Sequence, residues 1–290
     1  MYSLSLQKDF LIRWFARLAS VLCFLFVSLP SILSAGVTVS PKLLFLDPSR
    51  RSVPIQISNP GDAEVEVWIE SRYGIVTSND SGRAIILDDS SDGRPFSAAG
   101  WIKAYPQRFV LNPKEFQVVR LTVAPPAGLS DAEYWARIGV NSKVRRPAAS
   151  SKTPGTASRG GITIINQIGV PFLFRKGTLA TGINVRNLSC TAKPSGISVV
   201  MDLARTGNAS YWGSTTFHIL GQGGKVMSSS TREIVVYKTY HAVVTLDRAD
   251  LVPGSYTVEV TFVTGQRRDV APNDLIKAPP VRLTAPLVIE

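Results

Sequence analysis

After an apolar N-terminal segment, the chain keeps returning to one pattern: short runs in which apolar and polar residues alternate, cut by turn-forming residues. Val53-Pro-Ile-Gln-Ile-Ser58, Val65-Glu-Val-Trp-Ile69 and Val118-Val-Arg-Leu-Thr-Val123 are examples. A period of two places every second side chain on the same face, as in a half-buried antiparallel strand. The runs are separated by Asn59-Pro-Gly-Asp62, Leu111-Asn-Pro-Lys114 and Val252-Pro-Gly254, residue types that reverse the chain. Beyond residue 35 no long stretch repeats its apolar residues with the helical period. Short strands at regular intervals predict an all-β protein of sandwich type and argue against an α/β fold.

The chain has 290 residues, 44% of them apolar, enough for two ordinary sandwich domains with real cores. Residues 1–35 read as a signal peptide: Arg13 and Arg17 precede an apolar run over residues 18–29, then Pro30 and the small pair Ser34-Ala35. The alternative is an uncleaved anchor, for which the run is short and carries Pro30. An N-terminal domain is expected over residues 36–175 and a second sandwich over 176–290, with the boundary near Arg175-Lys-Gly177. Residues 142–161 are rich in Ser, Ala, Pro and Gly and hold Lys143, Arg145, Arg146, Lys152 and Arg159 with no acid, a composition expected of a mobile basic loop. The halves echo each other. Tyr134 and Tyr256 each open a late strand just after a turn, a station from which a tyrosine in an immunoglobulin-like sandwich bonds back to its own corner.

Signatures of catalysis are missing from the sequence. His218 and His241 do not stand at metal-ligand spacing, and no Gly-x-Ser-x-Gly turn occurs. Gly221-Gln-Gly-Gly-Lys225 sits between strand-like segments, so it reads as a hairpin turn instead of a phosphate cradle. Glu64 and Glu66 read as a solvated strand edge; Asp88, Asp89 and Asp92 lie in a polar stretch without calcium-loop spacing. With Cys23 in the leader, Cys190 stands alone, so no internal disulfide is expected and the thiol reads as a small buried residue. The net charge of +11 favours acidic partners, but the basic loop lacks the interleaved aromatics of a nucleic-acid surface. The reading is of a protein that is not an enzyme, with no cofactor and no metal. The most informative segment runs from Gly161 to Arg175, where Ile162 and Ile164 share one face of an extended strand and Ile165 takes the other. Apolar residues on both faces fit either burial at a domain junction or addition to another protein's sheet.

Several of these pieces together resemble the PapD-like periplasmic chaperones of the chaperone–usher pilus pathway. They are Val37-Thr-Val-Ser-Pro-Lys42, Ser52-Val-Pro-Ile-Gln-Ile-Ser-Asn-Pro60, Trp68, Tyr105-Pro-Gln-Arg-Phe-Val-Leu-Asn-Pro113, Glu133-Tyr134 and Val170-Pro-Phe-Leu-Phe-Arg175. The likeness covers residues 37–175 best. It implies two immunoglobulin-like β-sandwich domains meeting in a boomerang and a location in the periplasm. The implied partner is a pilin-like or other fibre subunit, with an outer-membrane usher as a further candidate and the membrane touched only through export. It further implies that the last strand of the first domain lends apolar side chains to the subunit. Ile162, Ile164 and Ile168 are the matching donor residues, and Asn166 stands where a further apolar one is expected. Two basic residues of the family hold the subunit's terminal carboxylate. Their positions fall here on Leu43 and Pro171, which leaves Lys42 and Arg175 as nearby candidates. A structural or adhesive surface protein built from the same sandwiches is the competing reading.

Overall fold

The computed structural model describes residues 36–89, 95–145, 163–248, 251–265 and 267–290. The expected leader, Ile162, Asp92 and residues 146–161 of the basic segment lie outside the described residues. The first set of strands is β1 (Thr38–Ser40), β2 (Leu44–Leu46), β3 (Ser52–Ser58), β4 (Val65–Ser78), β5 (Ala84–Asp89), β6 (Ile102–Tyr105), β7 (Arg108–Leu111), β8 (Phe116–Val123), β9 (Ala132–Val144) and β10 (Asn166–Lys176). The second set is β11 (Thr181–Lys193), β12 (Gly196–Gly207), β13 (Tyr211–Leu220), β14 (Val226–Val236), β15 (Thr239–Leu246), β16 (Gly254–Val263) and β17 (Val281–Ile289). Among the described residues there is no α-helix.

The strands build two sandwiches. In the first, the sheet β1-β3-β8-β6 faces the sheet β2-β10-β9-β4-β5, with β7 also paired to β4. In the second, β11-β12-β15 faces β14-β13-β16-β17. The alternation seen in the sequence is what fills each core. In β3 the side chains of Val53, Ile55 and Ile57 are buried while Pro54 and Gln56 are exposed. Their antiparallel partners on β8 follow suit, with Val53 opposite Leu121 and Ile55 opposite Val119. Each pair puts two branched apolar groups side by side on one pleat, the unit from which a sheet gains its stability. A separate apolar core lies inside each sandwich. Gly221-Gln-Gly-Gly-Lys225 is a hairpin turn, joining β13 to antiparallel β14.

One expectation moves. Ser142, Lys143 and Val144 are the end of β9, and Ser142 is buried, so the basic segment does not start at residue 142. The reason is pairing: Ser142 lies opposite Val67 and Val144 opposite Val65 on β4, and Arg145 N–H donates to Glu64 O at 2.9 Å.

The chain passes from the first set to the second between Lys176 and Thr181. Gly177 has φ +69°, and a Cβ there would sit 1.9 Å from the carboxyl carbon of Asp131. Only glycine accepts both conditions. The space it leaves lets Asp131 reach the turn: Thr178 N–H donates to its Oδ2 at 2.9 Å and Lys176 Nζ lies 3.4 Å from its Oδ1. Asn208 completes the clamp, its Nδ2 donating to Asp131 O at 2.8 Å and its Oδ1 accepting from Ala180 N at 2.8 Å.

The two tyrosines form the same bond in both sandwiches. Tyr134 Oη donates to Ser130 O at 3.0 Å, and Tyr256 Oη donates to Val252 O at 2.9 Å, each reaching back four residues. Both rings pack on their own core and their hydroxyls close the corner, the tyrosine corner of immunoglobulin-like sandwiches. Tyr134→Phe and Tyr256→Phe keep the ring and remove the bond. Each is expected to cost about 1 kcal/mol, the net value of a hydrogen bond, read as a lower urea midpoint at unchanged m-value.

Candidate functional site

β10 carries the site. Over its whole length it is antiparallel to β9, from Asn166 opposite Ser142 to Lys176 opposite Ala132. On its other side β2 pairs with it in parallel, but only at Phe172, Leu173 and Phe174. From Gln167 to Pro171 that second side has no strand partner among the described residues. An uncovered strand edge leaves main-chain donors and acceptors facing outward, ready to pair with another extended chain. The strand begins at Asn166, four residues later than the sequence reading placed it. At this end β9 is tied to β4, and Thr163, Ile164 and Ile165 leave the ladder.

Side chains divide by parity. Val170, Phe172 and Phe174 point into the first core, and Ile168 packs against it half-buried. Ile164, in the same phase but outside the strand, is 68% exposed, and its neighbour Ile165 is 56% exposed. The structure therefore separates the expected donor residues: Ile168 serves its own core, Ile164 stands in solvent, and Ile162 lies outside the described residues.

The odd-numbered face of β10 continues onto β9 and β4. Pro171 lies opposite Arg137 of β9, and Arg137 lies opposite Arg72 of β4. Arg72 is already paired, its Nε and Nη2 donating to Glu70 Oε2 at 3.1 and 2.7 Å. Arg137 forms no ion pair among the described residues. Its side chain runs over two glycines. A Cβ on Gly169 would lie 2.1 Å from Arg137 Nε, and one on Gly74 would lie 2.8 Å from Arg137 Cβ. Sequence reasoning passed over Arg137. The signal was present as Arg137 within the run Tyr134-Trp-Ala-Arg-Ile138 with glycines on the flanking strands, but pairing across three strands is needed to see it.

Arg175 has a different environment from the one expected. It lies beside Glu133, whose side chain is 0% exposed. Arg175 Nε donates to Glu133 Oε2 at 2.9 Å, its Nη1 donates to Asp274 O, and its guanidinium lies 4.1 Å above the Phe45 ring. Glu133 Oε1 accepts from Trp135 Nε1 at 2.8 Å, from Ser210 N–H at 3.1 Å and from the Ser210 hydroxyl. Ser210 Oγ in turn accepts from Trp212 Nε1 at 2.7 Å. The carboxylate thus joins residues of both sandwiches, and Arg175 is its counter-ion instead of a free anion site. Lys42, the other candidate, is exposed between β1 and β2.

Around this bond lies an aromatic layer. The rings of Trp135 and Tyr237 are 5.5 Å apart edge to face, and Tyr237 is likewise 6.1 Å from Trp212. Arg205 lies 5.6 Å over Trp135 and Arg267 5.1 Å over Trp212. Burial, with Glu133 adding to it, pushes the Tyr237 phenol well above its ordinary range. These cations lie against the rings with acids beside them: Arg267 pairs with Asp269 at 2.5 Å, as Arg175 pairs with Glu133.

Two of the remaining polar candidates, Glu66 and His241, have structural partners. Lys143 bonds to Glu66 at 3.0 Å and, with Arg108 at 3.2 Å, holds its carboxyl below the usual range. His241 Nδ1 lies 2.6 Å from Asp202 Oδ1, which lowers the Asp202 pKa. Burial pushes the Cys190 thiol up to about 11, so it stays protonated at neutral pH. Among the described residues no group of His, Cys, Asp and Glu could hold a metal ion.

No family model matches the sequence, and no curated protein matches it. Solved structures do. The YadV chaperone is 11% identical, with 85% of this chain and 99% of that chain covered, at TM-score 0.45. The CsuC–CsuE chaperone–tip adhesion subunit pre-assembly complex of Acinetobacter baumannii contains a chain 12% identical, with 88% and 100% covered, at TM-score 0.41. The E. coli chaperone DraB is 13% identical, with 79% and 92% covered, at TM-score 0.39.

Replacing Glu133 by Gln keeps the shape and strands the Arg175 charge. Loss of one partner of a buried pair is expected to cost about 3–5 kcal/mol, measured by urea denaturation followed through tryptophan fluorescence. Trp135 and Trp212 both bond to this network, so the emission of the native state is expected to shift as well.

Proposed function

We propose that the protein is a periplasmic chaperone which binds and stabilises pilus, fimbrial or other secreted fibre subunits by lending them a β-strand. The observation that carries this reading is the edge of β10 from Gln167 to Pro171, which has no strand partner among the described residues, with the exposed Ile164 and Ile165 just before the strand. A subunit that lacks a strand pairs its main chain with this edge and receives Ile164 in its own open groove; main-chain bonds supply affinity and alternate side chains supply selectivity. Ile162 extends the same phase. Ile168, packed at home, sets the register where the donated segment meets the strand. The sequence resemblance to PapD-like chaperones supports the same assignment and supplies the export route through a cleaved leader, with an usher as the receiving partner.

A terminal carboxylate of the subunit finds its cation in Arg137. This residue is the cross-strand neighbour of Pro171, the position where the resemblance calls for a basic residue. Lys42 is the second candidate. Arg175 contributes by neutralising Glu133. Binding needs no nucleotide or metal on this reading, since the subunit's own folding drives release once a permanent strand replaces the loan.

Co-expression with a fibre subunit encoded nearby, followed by pull-down from the periplasm, tests the proposal. Ile164→Asp is expected to abolish capture without moving the urea midpoint, because the side chain is solvent-exposed. Arg137→Ala is expected to weaken capture by about 1.5–3 kcal/mol, roughly ten- to a hundredfold, the worth of a hydrogen bond to a charged group. Gly169→Ala, which displaces the Arg137 side chain, is expected to act in the same direction. Unchanged capture by Ile164→Asp would remove strand donation, and unchanged capture by Arg137→Ala would remove the anchor alone.

A further inference from the structure

The sheet that ends in β10 and β2 ends on its other side in β5, which pairs with β4 on one edge and has no strand on the other among the described residues. Its middle residues are Ile85, Ile86 and Leu87, exposed by 40%, 50% and 36%. An uncovered edge with an apolar centre is a template for pairing, and natural sheets guard such edges with charges, proline, bulges or shortness.

Among the described residues, the other strands that close the sheet orders carry such a guard. β1 and β2 have three residues each. β6 carries Lys103, β14 carries Arg232 and Glu233 in mid-strand, and β17 carries Arg282 and Pro286. β11 is broken by a register shift between Arg186 and Ser189. The open edge of β15 is capped by side chains: Ser78 Oγ accepts from His241 N–H at 2.6 Å, Thr77 Oγ1 donates to Thr239 O at 3.2 Å, and Arg232 Nη2 donates to Thr245 O at 3.0 Å. Among these described sheet ends, β5 has none of these in its centre.

The sequence of β5 also fits itself. It reads Arg83-Ala-Ile-Ile-Leu-Asp-Asp89, basic at one end and acidic at the other. Two copies run antiparallel about a two-fold axis at Ile86 bring Ile85 opposite Leu87 and Arg83 opposite Asp89 of the second copy. With the axis between Ile85 and Ile86, Arg83 meets Asp88 instead. The second register matches apolar to apolar across Ala84–Leu87 with base to acid at each end, while the first also places Ala84 opposite Asp88; opposite charges facing across an antiparallel pair are favourable. Such pairing is isologous and closes after two copies.

We infer that β5 is a self-association edge through which two copies of this chain join their sheets into one continuous sheet. The proposal rests on the opposite end of the sheet from β10 and stands apart from the assignment of the donor strand. It leaves the β10 edge of each copy free.

Sedimentation velocity of the full chain over a concentration series tests it. The expected result is a reversible monomer–dimer equilibrium. Ile86→Lys, at an exposed position, is expected to raise the dimer dissociation constant by at least roughly tenfold while thermal unfolding monitored by circular dichroism stays unchanged. Arg83→Asp is expected to weaken the dimer, and adding Asp88→Arg and Asp89→Arg to it is expected to restore it, because the charge pairing is then reversed as a whole. A monomer at every concentration overturns the proposal. So does a dimer indifferent to Ile86→Lys, or larger aggregates with no dimer plateau. Loss of fibre-subunit capture in Ile86→Lys with self-association intact would give the edge to the subunit and also overturn it.

Discussion

The arrangement of the two sandwiches depends on one buried carboxylate. Glu133 is fully out of water, so its charge must be met inside the protein. Arg175 meets it from the end of β10, Trp135 from its own strand, and Ser210 from the loop before β13. These donors come from both sandwiches, and the carboxylate accepts from all of them at once. Any opening of the junction exposes or strands a charge, whereas slippage of an aromatic contact would cost far less. The rings of Trp135, Tyr237 and Trp212 then fill the space that this bond defines.

That constraint bears directly on β10. Its C-terminal half is held on two sides, by β9 and β2, and is closed by Arg175 at the Glu133 network. Among the described residues, Gln167 to Pro171 pair with β9 alone. One strand is therefore held on both sides where it closes the fold and on one side before that.

The sequence disclosed the architecture through period-two patterning, because burial on one face of a strand leaves a record in every second residue. It disclosed the tyrosine corners for a related reason: each bond spans only four residues, so the partners are neighbours in the chain. The site was harder to read. Arg175 was legible as a cation at a strand end, but its partner Glu133 is distant in sequence and meets it only through the β9–β10 register. Arg137 was invisible for the same reason; its meaning comes from Pro171, Gly169 and Gly74 on the flanking strands. The end of β9 was misjudged because Ser142 and Lys143 are polar or charged and lead into a basic, Pro- and Ser-rich segment, while pairing to β4 keeps them in the sheet.

The two glycines under Arg137 have a steric consequence. Where a sheet lacks Cβ atoms on neighbouring strands, its surface is recessed to the level of the backbone. A guanidinium lying in that recess is flush with the sheet instead of standing above it. On the proposed reading, a slender anion that ends a chain would reach that guanidinium more readily than a carboxylate carried on a folded surface, so the missing methyls would favour the former.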